Sequence, residues 1–306
     1  VCSSDLFSDA GGYVLFKDYC PYANFIPEDL YNDWLENIYC YGVSDYDHPS
    51  SLEEAKDLYI SLITLGIRVE GQQWLPANDF KNMLGIIQPM SYVLSQFAPE
   101  YFFPYLFLCR IFELNKIADF FNIDLPNIPK RTDYKGRCMY YWELCEVFYL
   151  FRKENGLSPA DLWSFLYDFA PNNLPSEKID MPKPSQVWFI GGRLYQEDKS
   201  LESKFWQSSP ETKKGDILVH YETSPISAIT CIEISLTDGV IDPLFRYYGC
   251  IYIGNRINIP HITLKELQTD EYFFKHPLVR KNFQGVNGWS VNSENYSELL
   301  RMIKTK

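Results

Sequence analysis

The sequence lacks the short motifs by which most catalytic and metal-binding families are recognised. It has no G-x-x-x-x-G-K-[ST], no H-E-x-x-H, no G-x-S-x-G and no C-x-x-C pair. An acidic pair followed by Glu-x-Lys, as in metal-dependent nucleases, is also missing. The four histidines lack the spacing to cysteine or aspartate that metal ligands usually show. These absences favour a binding protein over an enzyme, and we expect no catalytic residue, metal or cofactor here.

Long hydrophobic runs are also absent. The longest apolar run, residues 101–109, contains Pro104 and stops at Arg110, so it is too short to span a bilayer. The eight cysteines are isolated, mostly in apolar surroundings, which is typical of reduced thiols rather than of a disulfide framework. We therefore expect a cytoplasmic protein with no membrane partner.

A proline-rich stretch divides the chain. Residues 170–184 contain four prolines and few apolar residues, as linkers do. We predict an acidic helical domain at 7–170, a linker at 171–184 and a second domain at 185–306. Residues 1–6, VCSSDL, match one reading frame of a common sequencing adapter. We interpret them as an artefact, so natural sequence is expected to begin near Phe7, which leaves room for an upstream domain.

The net charge of −12 is distributed unevenly. From residue 184 onward there are 14 basic and 14 acidic residues, so the whole excess of acid precedes that point. A neutral module is poorly suited to sequence-independent duplex binding, which depends on many phosphate contacts. It remains compatible with recognition of one flipped or single-stranded base, where stacking and edge hydrogen bonds contribute more.

Helix signals fill the first domain. Ser50-Ser-Leu-Glu53 has the form of a capping box in front of an apolar-rich segment. A second helical region is predicted over 100–121, broken at Pro104. A third spans 140–154, and its aromatic residues are too numerous for a surface helix, so they are expected in the core. Ser158-Pro159 opens a fourth helix.

Strand signals fill the second domain. Short runs of β-branched and aromatic residues at 186–190, 216–221, 227–234 and 247–253 are separated by glycine-containing turns, as in small barrels. Two helices, 202–207 and 293–304, are predicted to flank the strands. The sequence therefore indicates the α+β class: an all-α N-terminal domain followed by a mixed β-barrel with flanking helices.

The order of segments in the second domain resembles a known family. The segments are Trp188-Phe-Ile-Gly-Gly-Arg193, Phe205-Trp-Gln-Ser-Ser209, residues 214–225, Tyr247-Tyr248, residues 257–260 and residues 277–285. Their order over 186–303 resembles the EVE domain, a relative of the YTH domain in the PUA-like superfamily. The resemblance implies a PUA-like barrel that holds one nucleobase in an aromatic pocket. It also implies a setting in bacterial modification-dependent restriction or a related defence system, with a nuclease or NTPase supplied by a partner or an upstream domain.

The resemblance further implies which residues bind. Base-binding positions would be Ile190, Gly191, Gly192, Arg193, Trp206, Gln207, Ser208, Tyr221, Ser224 and Phe283. Phosphate-binding positions would be Arg280, Lys281 and Asn282. Trp206 takes the place of the first cage tryptophan of YTH-type proteins, whereas the second wall is left open between Tyr221, Phe283 and Trp289. Each has a simpler explanation as well, since aromatic residues often fill cores and basic pairs are often solvated.

The leading hypothesis is thus a nucleic-acid reader whose C-terminal module captures a modified base, with DNA favoured over RNA. One alternative is an enzyme whose catalytic part lies in the helical domain or in a missing N-terminal region. Glu143, Glu146 and Arg152 share a helix and are candidates, but surface ion pairs are the favoured explanation for them. Another alternative is a protein-interaction module with a degenerate barrel.

Overall fold

The computed structural model describes residues 28–65, 75–108, 110–174, 181–193, 204–244 and 249–306. The chain forms two compact units. The helical unit is Val1–Ser176 with Asp242–Tyr247, and the sheet unit is Glu177–Ile241 with Tyr248–Lys306. The predicted artefact at 1–6 and the Tyr247-Tyr248 pair lie outside the described residues.

The helical unit confirms the prediction of a helical N-terminal region. Its helices are α1 (Glu28–Ile38), α2 (Leu52–Leu65), α3 (Phe80–Met83), α4 (Ile87–Phe97), α5 (Ile111–Phe121), α6 (Tyr134–Glu154), α7 (Pro159–Ser164) and α8 (Ala170–Asn173). Single turns of π-helix follow α1 and α7, at Tyr39–Val43 and Phe165–Phe169, and a 3-10 turn, Leu84–Ile86, joins α3 to α4. Ser158 caps the helix that Ser158-Pro159 was predicted to open, with Asp161 as its reciprocal partner.

Helix α6 provides the core of this unit. Its buried face carries Tyr141 and Trp142, as expected from the density of aromatic residues. The hydroxyl of Tyr141 donates to the carbonyl oxygen of Phe103 at 2.7 Å, and Tyr59 donates to that of Cys138 at the same distance. These hydroxyls are therefore buried with partners, which avoids the cost of an unsatisfied polar group.

The predicted helix at 100–121 is wrong in its first half. Residues 102–107 form neither helix nor strand, yet all six are buried. Pro104 has no amide hydrogen and disfavours helical geometry in the residue before it, so the apolar run packs as an irregular segment. Helix α5 begins only at Ile111 and ends at Phe121, and the next residue, Asn122, has a φ of 52° that makes it a left-handed C-cap.

The sheet unit contains a curled mixed sheet, so the α+β class is confirmed. Its strands are β1 (Val187–Gly192), β2 (Lys204–Ser208), β3 (Ile217–Glu222), β4 (Ala228–Ser235), β5 (Val240–Ile241), β6 (Gly249–Thr263) and β7 (Trp289–Val291). The order is β2-β6-β4-β3-β1-β7, with β5 paired to β6. Strands β1 and β3 are parallel, and the other pairs are antiparallel. The helices are α9 (Leu264–Thr269), α10 (Pro277–Arg280) and α11 (Ser293–Lys304), of which the last was predicted.

The helix predicted at 202–207 is wrong. Residues 204–208 form strand β2, in which Trp206 lies opposite Ile251 of β6. Aromatic residues favour strands when a neighbouring strand offers a surface to pack against, and the local sequence does not reveal that neighbour.

Alternate residues of the central strands enter two separate cores. On one face, Trp188, Ile190 and Leu218 pack together, with Trp206 against them. On the other face, Phe189 and Val219 join a larger cluster with side chains of α9, α10 and α11. Successive side chains of a strand point to opposite faces, so these clusters lie on the two sides of the sheet.

Asp216 joins the entry of β1 to the turn before β3. Its carboxylate accepts hydrogen bonds from the amides of Ser185, Gln186 and Lys213, the hydroxyl of Ser185 and the indole of Trp188, at 2.8–3.1 Å. Burial raises the pKa of this carboxyl group, but the hydrogen bonds outweigh that effect and leave the pKa below its usual value. The charged form of Asp216 therefore stabilises the parallel pair of strands.

Among the described residues, no helix combines the length and apolar character needed to cross a bilayer.

Candidate functional site

Strand β1 ends against the indole of Trp206. A Cβ atom placed on Gly192 would lie 2.6 Å from Cζ2 of Trp206, so the absence of a side chain there lets the indole approach the backbone. A Cβ atom on Gly191 would instead meet Val286, at 2.5 Å. Trp206 itself is half-buried. The structure thus brings three of the predicted site residues together.

Asn287 fixes this arrangement. Its Oδ1 accepts from the amide of Gly191 at 2.7 Å and from the indole Nε1 of Trp206 at 3.3 Å. The following residue, Gly288, has a φ of 76° and lies so close to the chain after β2 that a Cβ would be 2.5 Å from the amide nitrogen of Ser209. Asn287 was not predicted. The Asn-Gly pair signals a turn, but nothing local indicates what that turn contacts.

A buried hydrogen-bond network lies behind Trp206. The His220 and Trp206 rings meet edge to face, with centroids 4.7 Å apart. His220 Nδ1 lies 3.0 Å from Oε2 of Glu233, and Oε1 of Glu233 accepts from Nε and Nη2 of Arg256 at 2.8 and 2.6 Å. Burial raises the pKa of Glu233, but His220 and Arg256 outweigh it and lower the pKa overall. Because Glu233 is ionised, it accepts the Nδ1 hydrogen, which orients the imidazole.

Three potential metal ligands meet in this network. One ligand atom each from His220, Cys231 and Glu233 lie within 4.8 Å of one another. Spacing along the chain does not reveal this group, because pairing of β3 with β4 is what places His220 opposite Cys231. Both carboxylate oxygens of Glu233 already have partners, and burial raises the pKa of the Cys231 thiol to about 12. The group is therefore best described as a hydrogen-bond network beside a protonated thiol.

Other predicted residues lie around the Trp206 site or stabilise its strands. The side chain of Ile190, on β1, is fully buried in the cluster against which Trp206 packs. Gln207 is half-buried, and Ser208 is buried, sharing a 2.9 Å hydrogen bond with Thr212. Arg193 is oriented by donation from Nε to the carbonyl oxygen of Ser224 at 3.1 Å.

Tyr221 and Phe283 contact each other rather than Trp206. Their rings stack 4.0 Å apart with an angle of 3°, and both are buried in the core on the other face of the sheet. Phe283 has a left-handed φ of 59°, which is unusual for a bulky residue. Trp289, on β7, is 37% exposed and lies opposite Phe189.

The predicted phosphate-binding segment is anchored by this stack. Arg280, Lys281 and Asn282 are exposed and directly precede Phe283. The side chain of Asn282 accepts from Gln268 at 3.0 Å. The stack therefore holds two cations at the surface, next to the core on that face.

Two of the three candidates on α6, Glu146 and Arg152, form ion pairs. Glu146 lies 3.5 Å from Lys56, and the buried Arg152 pairs with Glu100 at 2.7 Å. Burial, with the negative charge of Glu146, raises the pKa of Glu143. The ion-pair explanation given above for Glu146 and Arg152 matches these contacts.

No protein-family model matches the chain, and no curated protein is similar to it in sequence. Among solved structures, the NMR structure of Rpa0253 from Rhodopseudomonas palustris is similar over 39% of this chain and 94% of that chain, with 13% identity and a TM-score of 0.34. A similarity of that strength supports no conclusion about fold family or function.

Proposed function

We propose that the sheet unit is a PUA-like module of the EVE/YTH type that binds one nucleobase, flipped or single-stranded and modified, on the indole of Trp206. DNA is favoured over RNA as the partner, in a bacterial defence setting. The observation that carries this proposal is the half-buried indole, held at its nitrogen by Asn287 and packed against the bare backbone of Gly192.

A tryptophan in this position is suited to stacking. The hydrogen bond to Asn287 and the edge-to-face contact with His220 fix the plane of the indole before any ligand arrives. A preorganised ring loses little freedom on binding. Stacking of a base on an aromatic ring contributes about 1–3 kcal/mol. Flipping a base out of a duplex costs a few kcal/mol, so a base that is already unpaired binds more easily.

The polar groups near the indole suit a base edge. Gly192 is half-buried beside the indole, whereas the amide of the buried Gly191 already donates to Asn287. The adjacent Arg193 is oriented by Ser224. On this proposal Arg280 and Lys281 contact a backbone phosphate, and the neutral charge of the unit leaves the base as the main determinant of affinity.

The test is a binding panel. Single-stranded and duplex oligonucleotides with one central modified or unmodified base are titrated against wild type, Trp206→Ala and Phe274→Ala. Phe274 is an aromatic residue of the same unit, 46% exposed and in the segment before α10 rather than on β1 or β2, so its variant is the matched control. We expect Trp206→Ala to weaken the tightest complex by about 10- to 100-fold, as loss of one stacking contact predicts.

The control variant should bind like wild type. Equal, weak binding of every oligonucleotide by all three proteins would refute the proposal. Equal loss in both variants would show that the effect of Trp206→Ala is not specific to the indole.

A further inference from the structure

The orientation of the Asn287 carboxamide is determined by its neighbours. Both groups that contact its oxygen, the Gly191 amide and the Trp206 indole, are donors that cannot accept. A flipped amide would place its NH2 against two N–H groups, so Oδ1 must face them. The NH2 group, Nδ2, is therefore the part of the carboxamide that does not face the Gly191 amide and the Trp206 indole nitrogen.

That NH2 group is available to a ligand. Within the part of the chain that the structure describes, Asn287 makes no hydrogen bond through Nδ2, and the residue is half-buried. It is not a surface amide free to rotate, because two hydrogen bonds hold it. Nδ2 is therefore an oriented hydrogen-bond donor that has no acceptor among the described residues.

The Asn287 carboxamide lies beside the proposed stacking surface, the indole of Trp206. Since Nε1 of Trp206 is 3.3 Å from Oδ1, the carboxamide lies at the edge of the indole. A base stacked on the indole would lie about 3.5 Å above its plane, with one edge over that rim. The amide NH2 is then within reach of a ring nitrogen or carbonyl oxygen on the base.

We propose that Asn287 is the specificity-determining residue of the site, which donates from Nδ2 to an acceptor on the edge of the bound base while its Oδ1 positions Trp206. This inference rests on the proposed function. It adds the chemical class recognised: a base that presents a ring nitrogen or carbonyl oxygen, rather than an amine, to the rim of the indole.

Two variants separate the two roles. Asn287→Asp keeps an oxygen for the Gly191 amide and the Trp206 indole but replaces the donor by a second acceptor. Asn287→Ala removes both. We expect Asn287→Asp to retain the indole Nε1–H resonance of Trp206 near its wild-type NMR position, and Asn287→Ala to shift it. The resonance is assigned by its absence in Trp206→Ala.

The binding readout uses the oligonucleotide that wild type binds most tightly. Asn287→Asp should weaken that complex by about 10-fold or more, since an acceptor on the bound base is then left facing a carboxylate oxygen instead of a donor. A second measurement leaves the protein unchanged: deaza analogues of the central base replace one ring nitrogen at a time by carbon. Replacing the one ring nitrogen or carbonyl oxygen that Asn287 contacts should weaken binding about as much as Asn287→Asp does. When that base analogue is tested against Asn287→Asp, the combined loss should be little larger than either single loss.

The outcomes distinguish this inference from the proposed function. If Trp206→Ala weakens binding but Asn287→Asp binds like wild type, or if every analogue binds equally well, the role of Asn287 is refuted and the stacking site stands. If wild type binds no oligonucleotide, both are refuted. If the Trp206 resonance is unchanged in Asn287→Ala, the positioning role is refuted.

Discussion

Replacement of Asp216 by asparagine should destabilise the sheet unit strongly. The carboxylate accepts five hydrogen bonds, from donors of Ser185, Gln186, Trp188 and Lys213. Asparagine keeps one oxygen and places an NH2 group where the other oxygen stood. At least two N–H donors then lose their acceptor, at about 1–3 kcal/mol each. We expect a total loss of about 3–5 kcal/mol.

The effect should depend on pH in a definite direction. The folded pKa of Asp216 lies below its unfolded value, which is about 3.9. Its contribution is therefore fully present above the unfolded pKa and is lost as the pH falls through the folded one. The difference between wild type and Asp216→Asn should be constant near neutral pH and shrink below about pH 4.

Hydrogen-exchange mass spectrometry of the full chain measures this change within one unit. The slowest amides of β1 and β3 report the opening free energy of the sheet unit, without assuming that both units unfold together. Asp238→Asn is the control, because Asp238 is 58% exposed and accepts from the amide of Lys214 in the same turn. Its effect should stay below about 1 kcal/mol. An Asp216→Asn loss of similar size to the control would refute the reasoning.

Three further substitutions have expected outcomes. Gly192→Ala should displace the indole of Trp206, because its Cβ would lie 2.6 Å from the ring; a changed Nε1–H resonance with a loss of about 1–3 kcal/mol checks this, and an unchanged resonance contradicts it. Arg256→Leu should cost about 2–4 kcal/mol in chemical denaturation, since Glu233 stays charged and buried without its main cation; a neutral effect would show that water compensates. Phe283→Ala should cost about 3–5 kcal/mol by removing one ring of a buried stack, and a loss below about 1 kcal/mol would show that the stack contributes little.

Strand prediction succeeded where the signal was local. The runs that became β1, β3 and β4 are dense in β-branched residues and bounded by turn residues, and helix α11 was recognised as well. Strand β2 failed because its conformation depends on pairing with β6, which begins over 40 positions later in the chain. In the same way, residues 102–107 are apolar enough for a helix but contain a proline that only an irregular path accommodates.

The candidate site was predictable only in part. Trp206 and the glycine pair were identified through the family resemblance, whereas Asn287 acts on them from 81 and 96 residues away. His220 and Glu233 are 13 residues apart and meet because of cross-strand register. Such pairings cannot be predicted from spacing along the chain. The bulge between His220 and Tyr221 shifts the register of β3 against β4, so even a correct strand prediction would not give the right partners.

The helical unit is completed by residues that lie far along the chain. Buried Arg137 donates from Nε to the carbonyl oxygen of Pro243, 106 residues later, and Pro243 belongs to the same unit. During synthesis this guanidinium must wait for its acceptor until most of the sheet strands have been made. A fragment that stops at the linker would lack the acceptor of Arg137 Nε, so the unit should be expressed together with the segment that returns to it.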